Sequence, residues 1–148
     1  MTPSVLTPLP APLPPLAPLP PGASVVTADS PGYPCRRCLR DAQPGERVVL
    51  LSYDPFLGDS PYRQPGPIYV HEQPCAPSAA GAGLPEQLTS RLLSVRAFAS
   101  DHLMRTAVVT PGVELERVAA DLLADPGVAY LHVHNAGPGC FAVRIDRG

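Results

Sequence analysis

The sequence contains no lysine and no tryptophan, and aromatic residues make up only 5% of its 148 positions. All 11 basic residues are arginines, and the formal net charge is −2 at neutral pH. This near-neutral balance lacks the basic surface that nucleic acids and acidic membranes attract. No apolar run approaches the roughly 18 to 20 residues that cross a bilayer. We therefore expect no nucleic-acid partner and no membrane partner.

The sequence also lacks an export signal and the short motifs of well-known enzymes. No positive charge precedes Arg36, and prolines interrupt the apolar residues near the N-terminus, whereas a secretory signal needs a basic start and an unbroken apolar stretch. We therefore expect a cytoplasmic location, where cysteines are usually free thiols or metal ligands rather than disulfides. No G-x-S-x-G, H-E-x-x-H, P-loop or G-x-G-x-x-G pattern occurs, so the sequence predicts no named reaction.

Proline is abundant instead, with 22 residues, and it defines the N-terminal segment. From Met1 to Gly22, prolines alternate with leucine and alanine. Proline fixes φ and carries no amide donor, so this segment is excluded from helix interiors and central strands. We predict a disordered or extended Pro-rich tail over residues 1–24 and a single domain over residues 25–148.

Beyond the tail, the pattern predicts an α+β domain that is rich in β-strands. One helix is expected at Val113–Ala124, where apolar residues recur at the spacing of one helix face, namely Leu115, Val118, Ala119 and Leu122. The run Arg91–Phe98 fits either a strand or a helix. Other β-forming runs predict strands at Arg47–Tyr53, Pro67–His71, Arg105–Val109, Val128–Asn135 and Cys140–Asp146. We expect a mostly antiparallel sheet with the one principal helix packed on one face.

Two close pairs of cysteine and histidine are the main chemical signal in the sequence. The first pair reads C-R-R-C and the second reads H-E-Q-P-C, and at such spacings both members of a pair can reach one tetrahedral metal ion. Together they offer three thiolates and one imidazole, a set typical of zinc, from Cys35, Cys38, His71 and Cys75. Nearby positive charges would offset the negative charge of such a site, from Arg36, Arg37 and Arg40.

Two other interpretations of these cysteines stay open. Cysteine is often buried as a small apolar residue, so the pairs could simply line a loop. Cys35 and Cys38 also have the C-x-x-C spacing of a redox pair, and neighbouring arginines would lower the pKa of one thiol. The strand and helix that usually flank a redox motif are missing, because only proline-rich sequence precedes the pair.

A second group of polar residues lies in the predicted C-terminal strands. Strand alternation places Tyr130, His132 and His134 on one face and the apolar Leu131 and Val133 on the other. The histidines then either occupy the polar side of a half-exposed strand or contribute to a ligand-binding site or a second metal site.

The turn between these strands sets the neighbours of the histidines. If residues 135–139 form the turn, His134 lies opposite Cys140 and Val133 opposite Phe141. A thiol and two histidines would then share one face. Cys140 is accordingly a candidate nucleophile and His132 a candidate base for thiol catalysis.

Several longer motifs extend these observations over most of the chain. They are G-Y-P-C-R-R-C-L-R-D at residues 32–41, L-L-S-Y-D-P-F at 50–56, G-P-I-Y-V-H at 66–71, H-V-H-N-A at 132–136 and G-C-F at 139–141. With these motifs the chain resembles, from about Val25 onward, the family named domain of unknown function 1203, a set of small bacterial proteins. The family has no assigned activity, so the resemblance implies no substrate.

The resemblance also bears on the candidate site residues. The family pattern includes a Cys/His set, which implies a common centre, at Cys35, Cys38, His71, Cys75, His132 and Cys140. Relatives tend to have histidine at position 37 and arginine at position 134. The resemblance therefore gives Arg37 and His134 no family role.

Three functions agree with these features. The first is a ligand-binding or metal-stabilised module, in which the Cys/His cluster, with zinc as its expected metal, organises loops around an unknown small molecule or protein. Its recognition surface would be the loop Asp54–Pro67, with Tyr53, Phe56, Tyr62 and Arg63. The second is a metal- or thiol-dependent enzyme of unknown substrate. The third is a protein-interaction accessory protein that uses the Pro-rich tail as an adaptor.

Overall fold

Ten strands and one principal helix make up the described part of the computed structural model, which comprises residues 4–76 and 83–148. The strands are β1 (Ser4–Thr7), β2 (Ser24–Thr27), β3 (Tyr33–Pro34), β4 (Asp41–Ala42), β5 (Arg47–Tyr53), β6 (Gly66–His71), β7 (Leu92–Phe98), β8 (Met104–Pro111), β9 (Tyr130–Asn135) and β10 (Phe141–Arg147). The helices are the short α1 (Glu86–Thr89) and the principal α2 (Leu115–Leu123). The predicted β-rich α+β class is confirmed. In residues 4–76 and 83–148, no helix has the length and apolar character needed to cross a membrane.

The larger sheet has five strands in the order β1-β10-β9-β7-β8. Every neighbouring pair is antiparallel, which confirms the predicted sheet type. The run Arg91–Phe98, for which the sequence also allowed a helix, forms β7. At the centre of the sheet, Val95 of β7 lies opposite Val133 of β9, and both side chains are fully buried.

The helix α2 packs on one face of this sheet. A 3₁₀ turn (Gly112–Glu114) leads into it, and its inner face carries the buried apolar residues Leu115, Val118, Ala119 and Leu123. These residues share one core with Val95, Val133 and Val143 of the sheet. The turn needs glycine at its start, because a Cβ atom on Gly112 would lie 1.9 Å from the carbonyl oxygen of Leu88. Three residues of the predicted apolar face are buried against the sheet, whereas the predicted Leu122 is only partly buried and Leu123 is buried instead.

The smaller sheet has three antiparallel strands in the order β2-β5-β6, and β3 and β4 form a separate short hairpin. Apolar residues of β5 and β6 build a second core with Phe141 of the larger sheet, namely Val49, Leu51, Ile68 and Val70. A parallel bridge between Cys35 and Tyr69 joins the end of β3 to β6. The backbone N–H of Arg36 donates to the Tyr69 carbonyl at 2.9 Å. The C-R-R-C loop is therefore held against the outer edge of β6.

Residues of the N-terminal segment contact both sheets. Ser4–Thr7 contains no proline and pairs with β10 as an edge strand, with Ser4 opposite Arg147. Further along, apolar side chains pack on the second core, namely Leu9, Ala11, Leu13 and Leu16. The Tyr53 hydroxyl accepts a hydrogen bond from the Ala11 N–H at 2.8 Å and donates to the Ala11 carbonyl at 2.6 Å. The division into a tail over residues 1–24 and a domain over residues 25–148 stays a prediction.

The register of the C-terminal hairpin differs from the predicted one. His134 lies opposite Phe141 rather than Cys140, and Val133 lies opposite Val143 rather than Phe141. The connection has the expected five residues but lies one position later, at residues 136–140, and the N–H of Asn135 donates to the Cys140 carbonyl at 2.9 Å before β10 begins. An irregularity between Phe141 and Val143 then shifts the pairing further. Sequence alternation could not reveal this bulge.

Candidate metal centre and the adjoining cavity

The structure brings together the four predicted metal ligands. Cys35 and Cys38 lie in the loop between β3 and β4, His71 is the last residue of β6, and Cys75 follows four residues later. Their potential ligand atoms, three Sγ atoms and one imidazole nitrogen, all lie within 4.8 Å of one another. Cys35 and Cys38 are buried, and His71 and Cys75 are half-buried. The two pairs therefore converge on one point and lie close enough to hold a metal ion.

Two of the separations between potential ligand atoms agree with the edges of a tetrahedral zinc site. With Zn–S bonds of about 2.3 Å and a Zn–N bond of about 2.0 Å, a tetrahedron has S–S edges of about 3.8 Å and S–N edges of about 3.5 Å. The Sγ atoms of Cys35 and Cys75 are 3.7 Å apart. Cys38 Sγ lies 3.6 Å from Nδ1 of His71. All four cysteines of the protein are free thiols, so no disulfide competes with this arrangement.

A carboxylate fixes the orientation of the His71 ring. The Nε2 atom of His71 lies 3.2 Å from Oε1 of Glu46, and the same oxygen accepts a hydrogen bond from the Gln43 N–H at 2.6 Å. Because the carboxylate only accepts, Nε2 carries the hydrogen and the Nδ1 lone pair is left for the cluster. Metal-binding histidines commonly show this carboxylate contact on the second nitrogen. Sequence reasoning missed Glu46, since no spacing rule links it to the two ligand pairs.

A negative charge on Cys35 disfavours a negative charge on the other two thiols. Burial alone would raise the pKa of Cys35, but backbone N–H groups of Cys38, His71 and Arg37 lower this pKa to about 7. Burial raises the pKa of Cys38. Burial and then the negative charge of Cys35 raise the pKa of Cys75 to about 12. A cation between the thiols would favour the charged form of all three.

Arg36, between the two cysteines, was predicted to offset the negative charge of the metal site. In the structure its guanidinium forms hydrogen bonds with other groups instead. Arg36 is only 1% exposed, and its guanidinium donates to the carbonyls of Phe141 and Pro34, each at 2.7 Å. A third hydrogen bond reaches Sγ of Cys140 at 2.9 Å. The side chain therefore ties the C-R-R-C loop to the start of β10. No local sequence pattern indicates this contact, because Phe141 and Cys140 lie more than one hundred residues from Arg36.

A second network holds the same loop from the side of α1. The Gln87 side-chain amide donates to the Cys35 carbonyl at 3.2 Å. Arg91 donates to the Gln87 carbonyl at 2.7 Å and pairs with Asp41 at 3.0 Å. The backbone around the candidate metal ligands is thus fixed by side chains from two directions.

A cavity of about 650 Å³ adjoins the start of β10 and faces the loop between β5 and β6. The predicted recognition residues Tyr53, Phe56, Tyr62 and Arg63 all line it. The lining also includes Phe98, Phe141, Arg96, His134 and Cys140. Its volume falls within the range of small-molecule binding sites.

His132 lies among aromatic rings next to this cavity. The expectation that it occupies the polar side of a half-exposed strand is wrong, because the side chain is only 1% exposed. Its ring centre lies 4.8 Å from that of Phe56 and 5.2 Å from those of Phe98 and Phe141. Neither ring nitrogen has a hydrogen-bond partner among the described residues. The loop carrying Phe56 covers a strand face that the sequence alone suggested was open.

Burial keeps the two histidines of β9 uncharged. It lowers the pKa of His132 to about 3, with further lowering by His134, Arg144 and Arg96. Burial also lowers the pKa of His134 to about 4. The carbonyl of Gly139 lies 2.9 Å from Nδ1 of His134, so Nδ1 carries the hydrogen and Nε2 is an acceptor.

The two candidate catalytic residues do not pair with each other in the structure. Cys140 Sγ contacts Arg36 at 2.9 Å and the Asn135 amide at 3.7 Å, whereas both nitrogens of His132 are without a partner in residues 4–76 and 83–148. Cys140 lines the cavity, and His132 lies behind its aromatic wall. Thiol catalysis by these two residues stays a prediction.

The fold and the cluster together define a small β-rich α+β protein with a candidate three-cysteine, one-histidine metal centre. A family model described as "Protein of unknown function (DUF1203)" matches residues 32–147. The chain belongs to this family, as the motifs indicated. Comparisons with curated proteins and with solved structures gave no match.

Proposed function

We propose that this protein is a binding module in which a zinc ion, held by Cys35, Cys38, His71 and Cys75, fixes one wall of a ligand cavity. The observation that carries the proposal is the spacing of the four ligand atoms, which lie within 4.8 Å of one another and include separations of 3.7 Å and 3.6 Å. A cytoplasmic location and a small-molecule or protein ligand are part of the proposal.

The ligand set favours a structural zinc ion over a catalytic one. Catalytic zinc sites usually keep one coordination position for water or substrate, whereas four protein ligands complete the tetrahedron. Three thiolates and a neutral imidazole around Zn²⁺ give a formal charge of about −1. The half-buried site and the hydrogen-bonded backbone around it can accommodate this charge, since N–H groups already point at Cys35 Sγ, including that of His71 at 3.3 Å.

Hydrogen bonds and side-chain packing connect the C-R-R-C loop to the cavity wall. Arg36 lies between Cys35 and Cys38 and is bonded to the Phe141 carbonyl and the Cys140 thiol, both of which belong to cavity-lining residues. The rings of Tyr53 and Phe141 also pack in the same core as Cys35 and Cys38. A metal ion that holds the loop in place therefore also holds this wall of the cavity in place.

Elemental analysis of protein purified without added metal tests the proposal. We expect about one zinc ion per chain, and removing it with a chelator should lower the melting temperature, because metal binding contributes folding free energy at such sites. The Cys75→Ala variant should lose the zinc and melt like the chelated protein. Cys140→Ser is the matched control, since it changes the one cysteine outside the cluster and keeps an acceptor for Arg36. Metal-free wild-type protein with unchanged melting, or zinc retained by Cys75→Ala at full affinity, would contradict the proposal.

A further inference from the structure

Arg96 brings an unneutralised positive charge to the cavity wall. This half-buried residue of β7 donates from Nε to the Ser94 hydroxyl at 3.3 Å, and it forms no ion pair with a carboxylate of residues 4–76 and 83–148. Burial lowers its pKa, which reflects the free energy needed to hold the charge away from water. Charges that are buried are normally paired, and the buried part of Arg96 has no carboxylate partner among the described residues. The guanidinium of Arg96 can therefore pair with an anion that enters the cavity.

Among the described residues that line the cavity, no other group neutralises Arg96. These described lining residues include no aspartate and no glutamate. The second arginine there, Arg63, is already paired with Asp54 at 2.5 Å and with Asp59 at 3.5 Å. His134 is uncharged at neutral pH because burial lowers its pKa to about 4. The described lining thus carries one net positive charge, at Arg96.

The rest of the cavity wall suits a flat apolar group. Phe56 and Phe98 meet edge to face with ring centres 5.2 Å apart, and Tyr62 meets Phe98 at 6.0 Å. Phe141 and the ring of Tyr53 lie 6.1 Å apart on another part of the lining. Aromatic rings bind planar apolar groups through stacked and edge-to-face contacts. Tyr62 is 45% exposed, so a ligand that covers it would gain burial of apolar surface.

From this combination we infer that the cavity binds a small organic anion with a planar apolar body. The anionic group pairs with the guanidinium of Arg96, and the apolar body packs against the rings of Phe56, Tyr62 and Phe141. Nε2 of His134, which accepts hydrogen bonds, favours a ligand that also carries a donor. This inference rests on the binding part of the proposed function and names its ligand class, but it does not require zinc to touch the ligand.

Titrations with benzoate, phenyl phosphate and the neutral benzamide test the inference. The experiment uses folded full-length protein whose zinc content and melting temperature have been measured first, and binding is followed by chemical shifts of labelled backbone and arginine Nε groups. Benzoate or phenyl phosphate should bind at least about tenfold more tightly than benzamide, the difference that a charge-assisted hydrogen bond supplies. The tighter of the two anions identifies carboxylate or phosphate as the favoured group.

Two arginine variants give the decisive comparison. Arg96→Gln should abolish the preference for the anions over benzamide. Arg117→Gln is the control, because Arg117 lies on the exposed side of α2 in ion pairs with Glu114 and Asp121, outside the described cavity lining, and this variant should keep the preference. Equal binding of benzoate, phenyl phosphate and benzamide, no binding of either anion, or an equal loss in both variants would overturn the inference. A missing zinc ion would instead overturn the proposed metal centre and leave the titration result to stand by itself.

Discussion

Replacing His132 with leucine should make the protein more resistant to acid. The His132 side chain is 1% exposed, and burial lowers its pKa from 6.5 to about 3. Below about pH 6.5 the unfolded chain therefore takes up a proton that the folded protein accepts only near pH 3. Stability is lost as the pH falls through this window, at about 1.4 kcal/mol per pH unit for one group. Over the full window the loss from His132 reaches about 5 kcal/mol.

Several neighbouring charges contribute to this effect. Arg96 from β7, Arg144 from β10, His134 from the same strand and His102 all disfavour a positive charge on His132. At neutral pH the leucine variant should be about as stable as the wild type, because removing two unpartnered ring nitrogens offsets the loss of contacts with the surrounding rings.

Urea unfolding followed by far-ultraviolet circular dichroism measures the effect, since tryptophan is absent. The free energy of unfolding is compared between wild type and His132→Leu from about pH 7.5 to about pH 4.5. Acid also protonates the candidate zinc ligands, but both proteins share that loss, so their difference isolates His132. His134→Gln provides a second arm, because burial lowers the pKa of His134 to about 4 and its removal should give a similar shift. Parallel curves for wild type and His132→Leu below pH 6.5 would refute the reasoning.

Two further substitutions probe the metal centre and the N-terminal segment. Glu46→Gln should weaken zinc binding about 10- to 100-fold in a chelator competition, since it removes the carboxylate that orients His71; the control Glu72→Gln, which breaks only an exposed pair with Arg47, should leave the affinity unchanged. Tyr53→Phe should speed hydrogen exchange of the Ala11 amide, because that amide donates to the Tyr53 oxygen. Unchanged zinc affinity or unchanged exchange, respectively, would show that the contact has no such role.

The elements that the sequence predicted well depend on local patterns. Strand β5 has the predicted bounds, Arg47–Tyr53, because its β-branched and aliphatic run is framed by turn residues. The inner face of α2 followed from the helical spacing of its apolar residues. The convergence of the two ligand pairs followed from one of the interpretations of their spacing, because both members of each pair can reach one metal ion.

The features that sequence reasoning missed depend on contacts between distant segments. Strand alternation placed His132 on the second face of β9, but it could not reveal that Phe56 and Phe98 cover that face. The partners of Arg36 are a carbonyl and a thiol of the C-terminal hairpin, and carbonyls have no sequence signature. Strand β1 was not predicted because prolines dominate the segment around Ser4–Thr7, although this short stretch has no proline and contains strand-forming residues.

The pairing of β1 with β10 affects how the larger sheet is assembled during synthesis. Strands β7 to β10 follow one another in the sequence and, with α2, form contacts over short separations. Ser4–Thr7 is synthesised before the other strands of this sheet, whereas its partner β10 is synthesised after them. The outer edge of β10 therefore pairs with β1 only after the rest of the sheet has formed, because loop closure over such a long separation must wait for the partner strand. Removing the first residues would leave that edge with unpaired N–H and C=O groups, a template for pairing with other chains.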